Sequence, residues 1–366
     1  MRSVYVIVVA LLGMAACDRS PVDVGTKSNP ALTGGAGLAE AATTSVVMSG
    51  LDNPRGLAFG PEGALYVAEA GRGGAGPCVL LPRGVLTCYG PTGAVSRLWR
   101  GDQQRIATGL PSHAVPSGEA TGPHDIALLG RGAARVTIGL GLEGLPRSAL
   151  SGVGEQFGWL AHVPASGRWR STVDVAAYEF ATNPGGGPLD SNPYGLLAEP
   201  GGWVVADAAA NALLSVAANG DISTLAVFPS RPQGWPTDAV PTAVAVGPDG
   251  TYYVSELTGV PFATGAANIY RVVPGQAPTV AWSGFTTVID IAFGPDGSLY
   301  VLEHSTGPVF FALPGRLLKI PPDGTRTTII EGLTRPGSVT VGPDGALYVS
   351  NHSTEIGTGE VLRIDL

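Results

Sequence analysis

The fold is predicted most clearly by the segment "VPTAVAVGPDGTYYVSELTG" (Val240–Gly259). It contains two short apolar segments rich in Val and Tyr, which predict β-strands. The Gly-Pro-Asp-Gly between them is typical of a tight turn, in which glycine adopts backbone angles that other residues disfavour. The stretch therefore predicts a β-hairpin that begins after a proline.

The same hairpin pattern recurs along the chain. Near the C-terminus its copies are about 48 residues apart, close to the repeat length of propeller blades. Two further strands follow most copies, and four antiparallel strands at such a period predict a β-propeller blade. We therefore predict an all-β, six-bladed β-propeller. Its copies are anchored at Leu57, Ile126, Leu196, Val244, Ile291 and Val339.

The first two intervals between copies are longer, by roughly half a blade each. Together the two excess segments approach the length of a seventh blade. Neither segment contains a turn and strand pair of its own. We therefore expect insertions in blades 1 and 2 and not a further blade.

The two ends of the repeat region are complementary. The last copy stops at its third strand, "GEVLRIDL" (Gly359–Leu366), and "TTSVVMSG" (Thr43–Gly50) has the pattern of a fourth strand. Pairing these two segments would close the ring and remove an open sheet edge. We predict that residues 44–366 form one propeller closed by its N-terminal strand.

Residues 1–16 have the pattern of an export signal, with a short positive start before an apolar run. The segment "MAAC" (Met14–Cys17) resembles a bacterial lipobox, so we expect Cys17 to carry lipid. The alternative is an ordinary signal peptide and a secreted protein. We predict a flexible tether at 17–43 and an extracytoplasmic location, on the periplasmic face of the inner membrane in a Gram-negative cell.

Two cysteines remain, Cys78 and Cys88, and an oxidising compartment would favour a disulfide between them. The net charge is −8, and no basic run offers contacts to phosphates, which argues against nucleic-acid binding. Charged residues make up only 14% of the chain against 44% hydrophobic residues, as expected of a chain that forms a core.

The strand register places the long loops on one face of the propeller. In a blade with strands a to d from the channel outward, the a–b turns are short, and the long segments fall in b–c or d–a loops. Loops on rigid scaffolds usually carry function. We therefore expect the site on this loop-rich face.

One ring of polar residues consists of the side chains at the end of strand b in successive blades. Its side chains have two interpretations: they cap N–H groups of nearby loops, or they share a site in which a hard cation such as Ca²⁺ offsets their repulsion. No cofactor is required by the sequence. The ring comprises Glu69, Asp207, Glu256, Glu303 and Asn351, of which the four carboxylates are the candidate metal ligands.

A second ring lies at the start of strand a. It includes Arg55, His124 and Tyr194, and one residue further on come Asp125 and Asp290. The two aspartates are three blades apart, so we expect them to face each other across the channel mouth. All five are candidate ligand-binding residues.

Two His-Ser-Thr triplets raise the question of a reactive pair. "LYVLEHSTG" (Leu299–Gly307) and "LYVSNHSTE" (Leu347–Glu355) are one repeat apart, so repetition alone explains the echo. The register places His304 and His352 in adjacent b–c loops of the loop-rich face. Two interpretations are open for these histidines. They are either ordinary polar residues of the loops, or they bind a metal or act as an acid or base.

The chain resembles propellers of the NHL-repeat type and, more closely, the ScyD/ScyE family. The resemblance runs from about residue 45 to the C-terminus and rests on "GLDNPRGLAFGPEGALYVAEAGRGG", "TGPHDIAL" and "NPGGGPLDSNPYGLL". It implies a six-bladed, exported propeller and supplies no activity. Blade 2 departs from the repeat in having Arg135 where Tyr is typical.

The sequence leaves two functions open. The first is a propeller that binds a small molecule, glycan or protein partner on the loop-rich face. The second is a metal-assisted hydrolase or lyase of the lactonase-like type. No serine lies in a G-x-S-x-G elbow, and no phosphate-binding glycine loop leads from a strand into a helix. Whether the protein is an enzyme is left undecided.

Overall fold

The computed structural model describes residues 42–130, 133–229, 238–307 and 312–366. The export signal, Cys17 and nearly all of the predicted tether lie outside these residues. Within the described part of the chain, no helix combines the length and the apolar character that a membrane span requires.

The predicted hairpins form at each repeat, and short strands dominate the chain. The first half contains β1 (Thr43–Leu51), β2 (Pro54–Phe59), β3 (Leu65–Glu69), β4 (Cys78–Leu80), β5 (Leu86–Trp99), β6 (Asp102–Ala114), β7 (Ala120–Thr121), β8 (Pro123–Leu128), β9 (Ala133–Ile138), β10 (Trp159–Pro164), β11 (Arg170–Asp174), β12 (Pro193–Glu199) and β13 (Gly202–Asp207). The second half contains β14 (Ala212–Ala217), β15 (Ile222–Val227), β16 (Pro241–Val246), β17 (Tyr252–Glu256), β18 (Ala267–Val272), β19 (Thr279–Phe285), β20 (Val288–Phe293), β21 (Leu299–Glu303), β22 (Gly315–Ile320), β23 (Thr327–Leu333), β24 (Ser338–Val341), β25 (Leu347–Asn351) and β26 (Gly359–Asp365).

These strands form six antiparallel sheets, one for each predicted blade. The first strands of the blades (β2, β8, β12, β16, β20 and β24) contact one another in a closed ring around the centre. The second strands of blades 1, 5 and 6 are buried at every residue, whereas the outer strands β19 and β23 are largely exposed. The six-bladed propeller predicted from the repeat is confirmed.

The ring closes as predicted. Strand β1 pairs antiparallel with β26, so the last blade has the order β1-β26-β25-β24. Met48 and Leu51 of β1 are each 1% exposed and pack with Val361 and Tyr348 of the last blade. The N-terminal strand therefore supplies both hydrogen bonds and core to the blade formed by the C-terminus.

The excess length of blades 1 and 2 forms local insertions. In blade 1, β5 and β6 make a long hairpin, and β4 pairs with β5 through Cys78 and Cys88, which form the predicted disulfide. In blade 2 the insertions are a 3-10 helix, Arg147–Gln156, and α1, Val175–Thr182. Neither insertion builds a further blade.

Helix α1 begins where Asp174 ends β11. The Asp174 side chain accepts a hydrogen bond from the Ala177 N–H at 2.9 Å and so caps the helix. The helix ends at Asn183, which adopts a left-handed φ of 40°. This helix was not predicted from the sequence, although an Asp followed by Val-Ala-Ala is a recognisable start signal.

Candidate functional site

Side-chain hydrogen bonds join neighbouring blades around the channel. Asp125 of β8 accepts from the Leu196 N–H of the next blade at 2.7 Å. Asp290 of β20 accepts from the Ser338 hydroxyl at 2.6 Å and from the Val339 N–H at 2.8 Å. Each aspartate therefore holds the first strand of its own blade to that of the following blade.

The two aspartates also interact with each other. Burial raises the pKa of Asp125 well above its usual value, and repulsion from Asp290 adds to the rise. Burial raises the pKa of Asp290 to about 6 against the lowering effect of its hydrogen-bond donors. Gly56 leaves room for Asp125, because a Cβ at position 56 would lie 2.0 Å from Asp125 Oδ1.

The carboxylates that end strand b lie inside their own blades. Glu69 is fully buried and accepts from the Asp52 N–H at 2.8 Å, from the Ser96 hydroxyl at 2.5 Å and from two nitrogens of Arg105. These partners bind the loop before β2 to the blade. Glu69 therefore acts as a capping residue for the loop N–H of Asp52 and also pairs with the Arg105 guanidinium.

Equivalent contacts occur in blades 3 and 5, where Asp207 accepts from the Asn192 N–H at 2.6 Å and Glu303 from the Thr286 N–H at 2.7 Å. In blade 4, Glu256 accepts from the Asn268 N–H of β18, the third strand of its own blade, at 2.9 Å. Arg316 also forms an ion pair with Glu303. Across the described ranges, no group of three His, Cys, Asp or Glu side chains is arranged to hold a metal ion.

A cavity of about 170 Å³ lies at the loop-rich mouth of the channel, where the first strands begin. Arg55, His124, Tyr194 and His304, all selected from the sequence, line it together. The other candidates are not part of its wall. Six further residues line the cavity that were not predicted as site residues: Glu119, Thr121, Asn192, Val240, Leu257 and Thr354.

Arg55 carries the charge of this cavity. The residue is 6% exposed, its Nη2 donates to the Ala120 carbonyl at 3.0 Å, and its Nε is buried with no hydrogen-bond partner. Among the described residues, Arg55 forms no ion pair with a carboxylate. The guanidinium is therefore a buried cation with most of its donors unused, which is costly for a folded protein.

Tyr194 lies beside this cation. Its hydroxyl is buried without a well-formed hydrogen bond. Burial raises the pKa of Tyr194, and the neighbouring Arg55 guanidinium opposes that rise. The hydroxyl therefore stays protonated and is a neutral donor at the cavity.

The two histidines of the cavity are uncharged near neutral pH. Burial lowers the pKa of His124 to about 3, with a further contribution from Arg55, and lowers the pKa of His304 to about 4. Their Nδ1 atoms bond the carbonyls of Pro193 at 3.3 Å and Pro336 at 2.8 Å, so both Nδ1 atoms carry the proton. His124 also stacks on Tyr194 at 4.5 Å.

The echoed triplets have the same backbone position but different side-chain surroundings. The N–H of His304 donates to Thr287 and that of His352 to Thr334. His352 has a φ of 56°, and its Nδ1 contacts Glu355 at 3.0 Å on a partly exposed surface. The echo is a repeat unit. Of the two histidines only His304 lines the cavity, whereas the second triplet contributes Thr354.

Asn351 likewise lies apart from the cavity wall. Its amide donates to Glu360 at 2.9 Å. Of the other histidines, His113 is buried between the Thr87 hydroxyl and the Leu140 carbonyl, both at 2.8 Å. His162 lies in β10, the third strand of blade 2.

Fold and cavity together define a six-bladed β-propeller with a cationic cavity at its mouth. Comparison with protein-family models finds no match, and comparison with curated protein sequences finds none. The resemblance to the ScyD/ScyE family is not confirmed by these comparisons and stays a prediction.

Several solved structures share the fold. A streptogramin B lyase is 13% identical, with a TM-score of 0.52 over 89% of this chain and 100% of that chain. A glucose dehydrogenase is 18% identical, with a TM-score of 0.50 over 88% and 99%. A protein of unknown function from Bacteroides thetaiotaomicron is 8% identical, with a TM-score of 0.54 over 88% and 76%. Identities this low show a common fold alone.

Proposed function

We propose that this protein is a ligand-binding propeller that holds a small anionic group at the mouth of its channel, with Arg55 as the anchor. The observation that carries the proposal is the buried Arg55 guanidinium, which has one carbonyl partner and no carboxylate among the described residues. A carboxylate or similar oxyanion would satisfy the unused donors and offset the buried charge.

The rest of the cavity supports an anion of modest size. Tyr194 offers a neutral hydroxyl, and the two histidines add no charge near neutral pH. The volume of about 170 Å³ is below the roughly 300–1,000 Å³ typical of pockets that enclose a drug-sized ligand. We infer that the anionic head group of the ligand enters the cavity and that the remainder lies against the surrounding loops.

The test uses binding of small carboxylates, from acetate to benzoate, to the full propeller. We expect Arg55→Gln to weaken the best binder by about 30-fold or more, because charge-assisted hydrogen bonds contribute about 2–3 kcal/mol. Calorimetric titration measures the change. Arg72→Gln is the control, since Arg72 is on the same face with 57% of its side chain exposed.

Equal affinity in wild type and Arg55→Gln would contradict the proposal. So would failure of every carboxylate to bind the wild type. A stoichiometric divalent ion in protein purified from its own host would instead favour the metal-assisted hydrolase or lyase. That alternative has support only from the fold shared with a lyase structure.

We also propose that the propeller works outside the cytoplasm, anchored by lipid on Cys17. The Cys78–Cys88 disulfide supports this, because such bonds persist in oxidising compartments. We expect Cys17→Ser to move the protein from the membrane fraction to the soluble fraction, since several acyl chains anchor firmly.

Cell fractionation with mass spectrometry of the N-terminal peptide measures this change. Ser20→Ala is the control and should remain in the membrane fraction. Membrane retention of Cys17→Ser would contradict lipid anchoring.

A further inference from the structure

A second cavity, of about 390 Å³, lies beside the first on the loop-rich face. Its wall comes from α1, from the loop before β12, from the ends of β13 and β15 and from the residues just before β16. Acidic and amide side chains dominate its polar lining. They are Glu179, Asp190, Asp238, Asn183, Asn192 and Asn211.

Glu179 is the unusual residue of this wall. It is 2% exposed, and its Oε2 is buried with no hydrogen-bond partner. Its position on α1, between the cap residues Asp174 and Asn183, fixes the backbone that carries it. A buried, unpartnered carboxylate oxygen lining a cavity indicates that something is to be bound there, because the cost of leaving it unsatisfied is high.

The charges around Glu179 have the same sign. Burial and, to a smaller extent, the charges of Asp207 and Asp190 together raise the pKa of Glu179 to about 7. Burial likewise raises the pKa of Asp190 to about 6, despite N–H donors from Gly144 and Ser191. In the described parts of the chain, no Lys or Arg forms an ion pair with Glu179 or Asp190. None of the described residues that line the cavity therefore supplies a positive charge to balance its wall.

We propose that this cavity binds an organic cation, a primary ammonium or a guanidinium group, through Glu179 and Asp190. An organic group fits better than a metal ion, because the volume lies within the range of small-molecule pockets. In addition, no three carboxylates or imidazoles of the described residues are arranged for a metal. An ammonium has three donors and can bond several separated oxygens at once.

The two cavities are neighbours. Asn192, Ala208 and Val240 line both of them. A single ligand can therefore place an anionic group against Arg55 and a cationic group against Glu179. The ligand class is then a zwitterion, such as an ω-amino acid or a short peptide. This last step rests on the proposed function, whereas the cation site itself does not.

The experiment uses butylammonium, butyrate and 6-aminohexanoate as probes. Saturation-transfer NMR detects their binding at about pH 8, above the pKa of Glu179. Butylammonium should bind wild type and Arg55→Gln but lose its signal with Glu179→Gln. Glu155→Gln, at an acid with 67% of its side chain exposed, should bind it normally. 6-Aminohexanoate should bind wild type at least about tenfold more tightly than either simple ion, because one molecule then joins two sites.

The outcomes separate the two proposals. Equal butylammonium binding by wild type and Glu179→Gln, or none by wild type, overturns the cation site. Displacement of butylammonium by an equal concentration of Ca²⁺ also overturns it in favour of a metal site. Butylammonium binding without butyrate binding overturns only the Arg55 proposal. Thermal unfolding checks that Glu179→Gln is folded, which is expected because Gln is isosteric with the protonated acid.

Discussion

Met48→Asp is expected to lower the free energy of unfolding by at least about 4 kcal/mol, the largest loss that we predict. Met48 is 1% exposed in β1 and packs against the last blade. Removing a buried Met side chain alone costs about 2–5 kcal/mol, and the new carboxylate would be buried without a partner. Because β1 closes the ring, the damage should open blade 6.

Urea unfolding, monitored by tryptophan fluorescence, measures this loss. The matched control is Val46→Asp, two residues earlier on the same strand, where 54% of the side chain is exposed. The control should change stability by no more than about 0.5 kcal/mol. Equal unfolding midpoints for the two variants would mean that β1 does not close the ring.

Glu69→Ala should lower the free energy of unfolding by about 3 kcal/mol. The substitution leaves the buried Asp52 N–H and Ser96 hydroxyl without an acceptor, and each unsatisfied buried donor costs about 1–3 kcal/mol. Arg105 loses one of its two carboxylate partners but keeps Asp52 at 3.1 Å, and 38% of its side chain is exposed, so water compensates much of that loss. The variant should still fold, since the blade core is intact.

Glu331→Ala serves as the comparison, because Glu331 is an exposed acid on the outer strand β23. Chemical unfolding should show a clear shift for Glu69→Ala and almost none for Glu331→Ala. If both variants unfold at the wild-type midpoint, the carboxylate ring does not hold the loops. In that case its buried charges would need a different explanation.

Much of the architecture could be predicted from the sequence because its signals are local. The Gly-Pro-Asp-Gly turn and the apolar segments on either side lie within about 20 residues, the scale on which strand and turn preferences act. Repetition of that unit then fixed the number of blades. The unpaired third strand at the C-terminus predicted the closing role of residues 43–50.

The candidate site was only partly predictable. Register placed Arg55, His124, Tyr194 and His304 on the right face, because position along a strand decides which end of the blade a residue occupies. Register cannot say which buried charges have partners. Glu69 pairs with Arg105 from a distant strand of its own blade, whereas the hydrogen bond of Arg55 among the described residues goes to a carbonyl.

Local patterns in the sequence were enough to predict the six-bladed ring, its closure and the face that carries the long loops. Only the folded chain shows that His304 lines the cavity while His352 contacts Glu355, and that Glu179 lies buried beside the Arg55 cavity. The difference comes from the distance along the chain between the residues that interact. Turns and strands follow from neighbouring residues, but a side chain's partners depend on loops that meet only after the blades have packed.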